Sequence, residues 1–340
     1  MIDANSASTL FMAAAVALAV GIYVVLDGFD LGLGILFLLT DRPEERDRMV
    51  NSIAPFWDGN ETWLVFGGAV LLAMFPRGFA VIMPAVYLPI IVMLLGLIFR
   101  GIAFEFRFKH PSRGNVWDAA FAVGSVMATF SQGVVLGTFL QGVPVRDGHY
   151  GGGSWDWLTA FSLTTGCALL VGYALLGAGW LFWRASGDLR NRAVLWMRPL
   201  LWMLLAAIAA VSIWTPLMSP TIAARWFGLP RAFAFLPVPL LTAVCAWGLL
   251  RTAKGPAASG WPFACGIGLF FLSYSGMAIS IFPMLPPPSI TLFDAAASPS
   301  AKNFLLPGVV MLVPLILVRT WLNYRVFRDH GDGSVGYGHD

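Results

Sequence analysis

VVLDGFDLGLG, residues 24–34, sets two carboxylates inside an apolar run that reaches from about residue 8 to about residue 39. A helix needs about 20 apolar residues to cross roughly 30 Å of hydrocarbon, so this run reads as a membrane span. Asp27 and Asp30, three residues apart, fall on nearly one helical face. Gly28, Gly32 and Gly34 form a small-residue strip beside them, of the G-x-x-x-G kind on which a second helix closes. The pair is therefore expected to face protein. A charged side chain at the bilayer centre costs about 2.5–3.5 kcal/mol on insertion scales, and an aspartate is too short to reach the headgroups from so far inside. These two acids are the first candidates for function.

Outward from that segment the chain keeps the same character. Hydrophobic residues are 58% of its 340 residues and charged residues 11%, against roughly 45–50% and 25% in globular proteins, which excludes a soluble enzyme. The 21 basic and 18 acidic residues give a net charge of +3, too sparse for the phosphate-neutralising surface of a nucleic-acid partner. Nine apolar runs, at about 8–39, 56–75, 79–104, 116–140, 156–183, 197–217, 232–251, 261–283 and 303–323, predict an all-α integral membrane protein of about nine transmembrane helices, with 1–340 as a single membrane domain. No basic segment precedes the first run and no cleavage-like pause comes before Asp27, so that run is expected to stay in the mature chain. The longest connections, around GVPVRDGHYGGGS (142–154) and LPPPSITLFDAAASPSAK (285–302), are too short for a soluble domain.

Basic residues stay on the cytoplasmic side. After spans one, three, five, seven and nine stand Arg42, Arg46, Arg48, Arg100, Arg107, Lys109, Arg113, Arg184, Arg190, Arg192, Arg198, Arg251, Lys254, Arg319, Arg325 and Arg328. The other side has only Arg77, Arg146, Arg225, Arg231 and Lys302. The expected topology is N-terminus outside, C-terminus cytoplasmic.

Two further clusters carry charge. In NSIAPFWDGNETW (51–63), Asp58 and Glu61 repeat the three-residue spacing, with Asn60, Trp57 and Trp63 around them. In RGIAFEFR (100–107), Arg100 is read as a counter-charge and Glu105 as a further proton acceptor. The topology brings all three clusters to one cytoplasmic pocket. For Arg100, Glu105 and Trp63 a plainer reading stands beside this one: side chains near span ends snorkel to the headgroups or form an aromatic belt. Carboxyl groups gathered away from water suit proton relay better than metal binding. All four histidines, His110, His149, His330 and His339, fall in connections or the tail, so a haem with axial histidine is not expected in this chain. Cys167, Cys245 and Cys265 lie singly in apolar stretches and read as packing. The tail GDGSVGYGHD reads as solvated, and no metal site is expected.

LDGFDLGLG (26–34), NSIAPFWDGNETW (51–63), RGIAFEFR and FPMLPPPSITLFDAAAS (282–298) together resemble subunit II of cytochrome bd-type ubiquinol oxidases. The resemblance runs in order through most of the chain. It implies two four-helix bundles plus one peripheral helix, with no cofactor in this chain; haems b and d and the quinol site belong to subunit I. It implies a complex that oxidises ubiquinol, reduces dioxygen to water and takes protons from the cytoplasm, in the bacterial inner membrane. Asp58 with Trp57 resembles the family's proton-path position, and Asp27 and Asp30 its acidic pair, with Asn60 and Glu61 as further participants. Subunit I is the implied partner, within membrane lipid and with room for a small accessory subunit. The chain is short for the family and in this resembles the compact, cyanide-insensitive form. GYALLGAGW (172–180) faintly echoes DGFDLGLG, with apolar residues in place of the acids. Two rival readings stand against a proton role: a secondary transporter, whose Gly- and Pro-broken helices carry midplane acids, and a scaffold whose aspartates only close interhelical bonds.

Overall fold

The computed structural model describes residues 4–109, 114–229, 231–253 and 259–327. His110, Arg113, Lys254, Arg328, His330, His339 and the tail GDGSVGYGHD lie outside them, as does the side chain of Arg231. In chain order the helices are α1 (Ala4–Phe37), α2 (Pro43–Ile53), α3 (Trp57–Met74), α4 (Pro76–Phe106), α5 (Gly114–Gln141), α6 (Ala160–Arg184), α7 (Gly187–Met218), α8 (Pro220–Phe227), α9 (Arg231–Phe235), α10 (Pro237–Thr252), α11 (Trp261–Ile281), α12 (Leu292–Ala295) and α13 (Pro299–Val326). A two-stranded hairpin, β1 (Val145–Arg146) and β2 (His149–Tyr150), sits between α5 and α6.

Seven of these helices, α1, α4, α5, α6, α7, α11 and α13, are long and apolar enough to cross a membrane. The polar first turns of α3 and the 16 residues of α10 keep those two below that measure. With them, the described residues hold the nine long helices that the hydropathy predicts. Prolines start many of them: Pro43, Pro76, Pro220, Pro237 and Pro299 occupy first-turn positions, where the missing N–H is no loss. Thr159 and Ser162 close a capping box on α6. Pro84 and Pro89 lie inside α4, and Val86 between them leaves helical geometry, so α4 kinks there.

Helices α1, α3, α4 and α5 form one four-helix bundle, and α6, α7, α10 and α11 a second, in which α8 and α9 lead from α7 to α10. The bundles join through α6, which packs on both α1 and α5, while α13 lies outside against α1 and α3. We call the end where α1 begins the upper end and the end where it stops the lower end. Lys302 at the start of α13 donates to Asn5 Oδ1 at 2.5 Å and to Thr9 Oγ1 at 2.7 Å. At the lower end Arg184 closes α6 onto α13 by donating to the Phe327 carbonyl at 2.8 Å.

Several boundaries differ from the hydropathy reading. The connection after α1 contains α2, whose PEERDRMVNSI is too polar to register as a span. An ionic layer seats it: Arg46 and Arg107 both bind Asp118, at 2.8 and 2.6 Å, and Arg107 binds Asp47 at 2.5 Å. Helix α7 begins ten residues before the expected 197, because a polar first stretch with Asp188, Arg190 and Arg192 continues the helix below its apolar part. The run expected at 232–251 divides into α9 and α10, with Pro237 at the start of the second.

The contact that fixes the two bundles is glycine against backbone. A Cβ at Gly32 would run into the Tyr173 carbonyl, and one at Gly177 would come within 2.7 Å of the Gly32 backbone. A Cβ at Gly28 would meet the Tyr173 ring at 2.8 Å. The glycine strip of DGFDLGLG thus closes on its own echo, GYALLGAGW. Gly32→Val is expected to destabilise the protein by about 1–3 kcal/mol or more through overpacking, whereas Gly68→Val, where a Cβ meets nothing within 4 Å, should leave it unchanged. Thermal unfolding of the detergent-solubilised variants measures the difference.

Candidate functional site

Arg100 holds the centre of the site. It stands on α4 two turns before the helix ends, and its side chain is completely buried. Nη1 binds Asp27 Oδ1 at 2.6 Å and Glu61 Oε1 at 3.2 Å, and Nη2 lies 3.6 Å from Asp30 Oδ2. Asp27 and Asp30 are both fully buried, presented side by side by α1 as their spacing requires. Asn60, in the first turn of α3, donates to Asp30 Oδ2 at 2.7 Å and to the Leu26 carbonyl at 3.3 Å. Its own oxygen accepts from the Tyr324 hydroxyl of α13 at 3.1 Å. Four helices thereby meet on one charged cluster about 15 Å, ten residues of helix rise, above the lower end of α1.

Glu61 is the cluster's contact with the surroundings. Its side chain keeps a quarter of its surface exposed, while those of Arg100, Asp27 and Asp30 keep none. Trp57 floors the site: it stacks on Phe104 at 4.8 Å with the rings nearly parallel, and the Arg100 guanidinium lies 5.9 Å from that same Phe104 ring. Among the described residues, four buried polar atoms of the cluster, Asp27 Oδ2, Asp30 Oδ1, Arg100 Nε and Arg100 Nη2, make no hydrogen bond. Buried groups of this kind are ordinarily satisfied by internal water.

The structure brings Asp27, Asp30, Asn60, Glu61 and Arg100 together, and sets Asp58 and Glu105 outside their contacts. Asp58 is exposed in the first turn of α3. Glu105 is exposed and pairs with Lys109 at 3.0 Å. Five residues separate it from Arg100, which turns it roughly 140° around the helix, so the two do not share a face. Trp63 is wholly buried and donates to Thr320 at 3.2 Å, which corrects the headgroup-belt reading of that residue. Arg100 likewise does not snorkel; it is folded inward.

Sequence reading missed Tyr324, whose place beside Asn60 depends on α13 returning to α3 and leaves no local mark. It also missed a second polar string that ends near Asp27. Gln132 of α5 donates to the Tyr23 hydroxyl at 2.7 Å and accepts from the Tyr173 hydroxyl at 2.8 Å. Tyr23 precedes Asp27 by one helical turn, a spacing that could have flagged it. Among the described residues no group of three or more His, Cys, Asp or Glu is gathered as a metal ion would need.

The sequence matches the family of cytochrome bd terminal oxidase subunit II over residues 8–327. It is 28% identical to cytochrome bd ubiquinol oxidase subunit 2 of Bacillus subtilis, across 90% of this chain and 91% of that one. It is 29% identical to cytochrome bd-I ubiquinol oxidase subunit 2 of Escherichia coli K12, across 90% of each. Its fold is that of a chain in the structure of bd oxidase from Geobacillus thermodenitrificans, with a TM-score of 0.79 over 94% of this chain and 98% of that one at 14% identity. A family match from the first turns of α1 to the end of α13, on a multi-pass membrane fold with the charged cluster at its heart, is decisive: the chain belongs to the subunit II family of cytochrome bd terminal oxidases.

Proposed function

We propose that this chain is the haem-free subunit of a bd-type quinol oxidase and carries protons from the cytoplasm toward a reaction housed in subunit I. In that complex, haems b and d of subunit I take electrons from ubiquinol and pass them to dioxygen, and water forms. The chain sits in the bacterial inner membrane with its N-terminus outside and its lower end toward the cytoplasm, as its excess of arginine on that side supports. Stabilising subunit I is the chain's other task.

One observation carries the reading. A continuous set of acids leads from Glu61, a quarter exposed, to Asp27 and Asp30, fully buried, and the polar atoms they leave open call for water. Three carboxyl groups face a single guanidinium, so the cluster can hold and release protons without ever leaving Arg100 unpaired. Asp58, exposed one turn from Glu61, stands at the mouth as the first acceptor. Trp57, stacked on Phe104, shields the cluster from below. Asn60 orients Asp30, and Tyr324 holds Asn60 in place. Glu105 serves at the surface with Lys109, one step away from the route.

The scaffold reading draws on the same ion pairs, which join α1, α3 and α4. Turnover separates the two. Glu61→Gln and Asp58→Asn keep side-chain shape at sites that are not fully buried, and each variant is expected to assemble with its full complement of b and d haem absorption. Oxygen consumption per haem should fall by about tenfold or more, the range of a lost proton-transfer group. Wild-type turnover in both would sink the proton role and leave the scaffold. Arg100→Gln should cost about 3–5 kcal/mol, because it strands buried carboxylates. Combining it with Asp27→Asn should recover part of that loss in thermal unfolding of the complex.

A further inference from the structure

The string Tyr173, Gln132 and Tyr23 crosses three helices, α6, α5 and α1, and ends one turn from the Asp27 carboxylate. Its direction follows from donor counting. A tyrosine hydroxyl has one hydrogen, and an amide has an N–H side and a C=O side. Tyr173 spends its hydrogen on Gln132 Oε1 at 2.8 Å, which turns the Gln132 N–H side toward Tyr23, where it donates at 2.7 Å. The Tyr23 oxygen is thereby engaged as an acceptor, and its hydrogen remains to be given. Tyr23 keeps only 3% of its surface exposed, so that hydrogen needs an acceptor inside the bundle. Asp27, one helical turn on, offers one: Arg100 occupies Oδ1, and Oδ2 has no hydrogen bond among the described residues.

Rigid neighbours hold the far end. The Tyr173 ring lies on Gly28, where a Cβ would come within 2.8 Å, and its other neighbour Phe270 is 5.6 Å away between ring centres. The tyrosine that fixes the amide is thus seated by the same glycine strip that joins the bundles.

We propose that Gln132 is a positioning residue for Asp27, holding the Tyr23 hydroxyl as a hydrogen-bond donor toward that carboxylate. The inference rests on the proton-uptake reading above and extends it to a residue that touches none of the acids. Without the amide, Tyr23 is free to turn its hydrogen elsewhere, and proton transfer through Asp27 loses a fixed partner.

The test uses the complete oxidase complex with Gln132→Leu, Tyr23→Phe, the double variant, and Tyr173→Phe, which removes one oxygen and preserves packing. In Tyr173→Phe the amide is free to rotate and offer its oxygen to Tyr23, drawing the hydrogen away from Asp27. Each single variant is expected to slow oxygen consumption per haem by about tenfold, the effect of one hydrogen bond to a charged acceptor. The solvent deuterium isotope effect on turnover should rise, since proton delivery becomes limiting; a packing defect would not raise it. The double variant should be no slower than the slower single, because Gln132 acts through Tyr23. Gln132→Leu and Tyr173→Phe at wild-type rate beside a slow Glu61→Gln would overturn this inference alone. So would slowing with an unchanged isotope effect, or losses that multiply in the double variant. Wild-type rates in Glu61→Gln as well would remove the proton-uptake reading, and this one with it.

Discussion

A guanidinium that cannot reach water must be met by anions, and most of the first bundle is arranged around that requirement. Arg100 is folded into the bundle with none of its side chain exposed, and desolvating it is tolerable only with close partners. Asp27 at 2.6 Å and Glu61 at 3.2 Å supply them from two other helices. The pairing specifies register: sliding α1 against α4 by one residue would carry Asp27 away around its helix. The aromatic layer follows from the same need, since Phe104, one turn below Arg100, offers its face to the cation and its other neighbour Trp57 closes the stack.

The second constraint is backbone proximity between α1 and α6. Lipid gives helices no hydrophobic reason to associate, so close van der Waals approach has to do it. Gly32 and Gly177 let the two backbones touch, and Gly28 receives Tyr173. One strip of α1 therefore faces the neighbouring bundle while its aspartates face Arg100. The two halves share a way of packing, but only the strip of α1 carries acids, which is why the cluster around Arg100 forms on that side.

How much of this was legible in the sequence follows from which forces are local. Hydropathy reports the solvent around a helix, and lipid is an exacting solvent, so all nine long helices could be read. Helix α2 could not, because seven of its eleven residues are polar and it is tied by ion pairs to Arg107 at the end of α4 and to α5, which no window of sequence contains. Within the site, the three-residue spacing placed Asp27 beside Asp30 correctly, since helix geometry alone decides it. Spacing says nothing about which face meets a distant partner. The sequence puts Asp58 ahead of Glu61, yet the rotation of α3 turns Glu61 and Asn60 inward and Asp58 outward. Tyr324 and Gln132 arrive from helices remote in sequence, and only the assembled bundle reveals them.

If the cluster were glue alone, its composition would be a poor choice. A buried ion pair gives little net stability against an apolar pair of similar volume, and sometimes less than none. Each buried polar atom left without a hydrogen bond adds a cost of about 1–3 kcal/mol, and among the described residues this cluster has four. Hydrogen-bonded serine or threonine between the same helices would join them with smaller penalties. The expense is understandable when the open atoms hold water, because water between carboxyl groups is a medium through which protons move. On the proposed reading the arrangement joins both tasks in one set of atoms: the guanidinium that binds carboxylates of α1 and α3 from α4 is the charge that lets those carboxyl groups be buried.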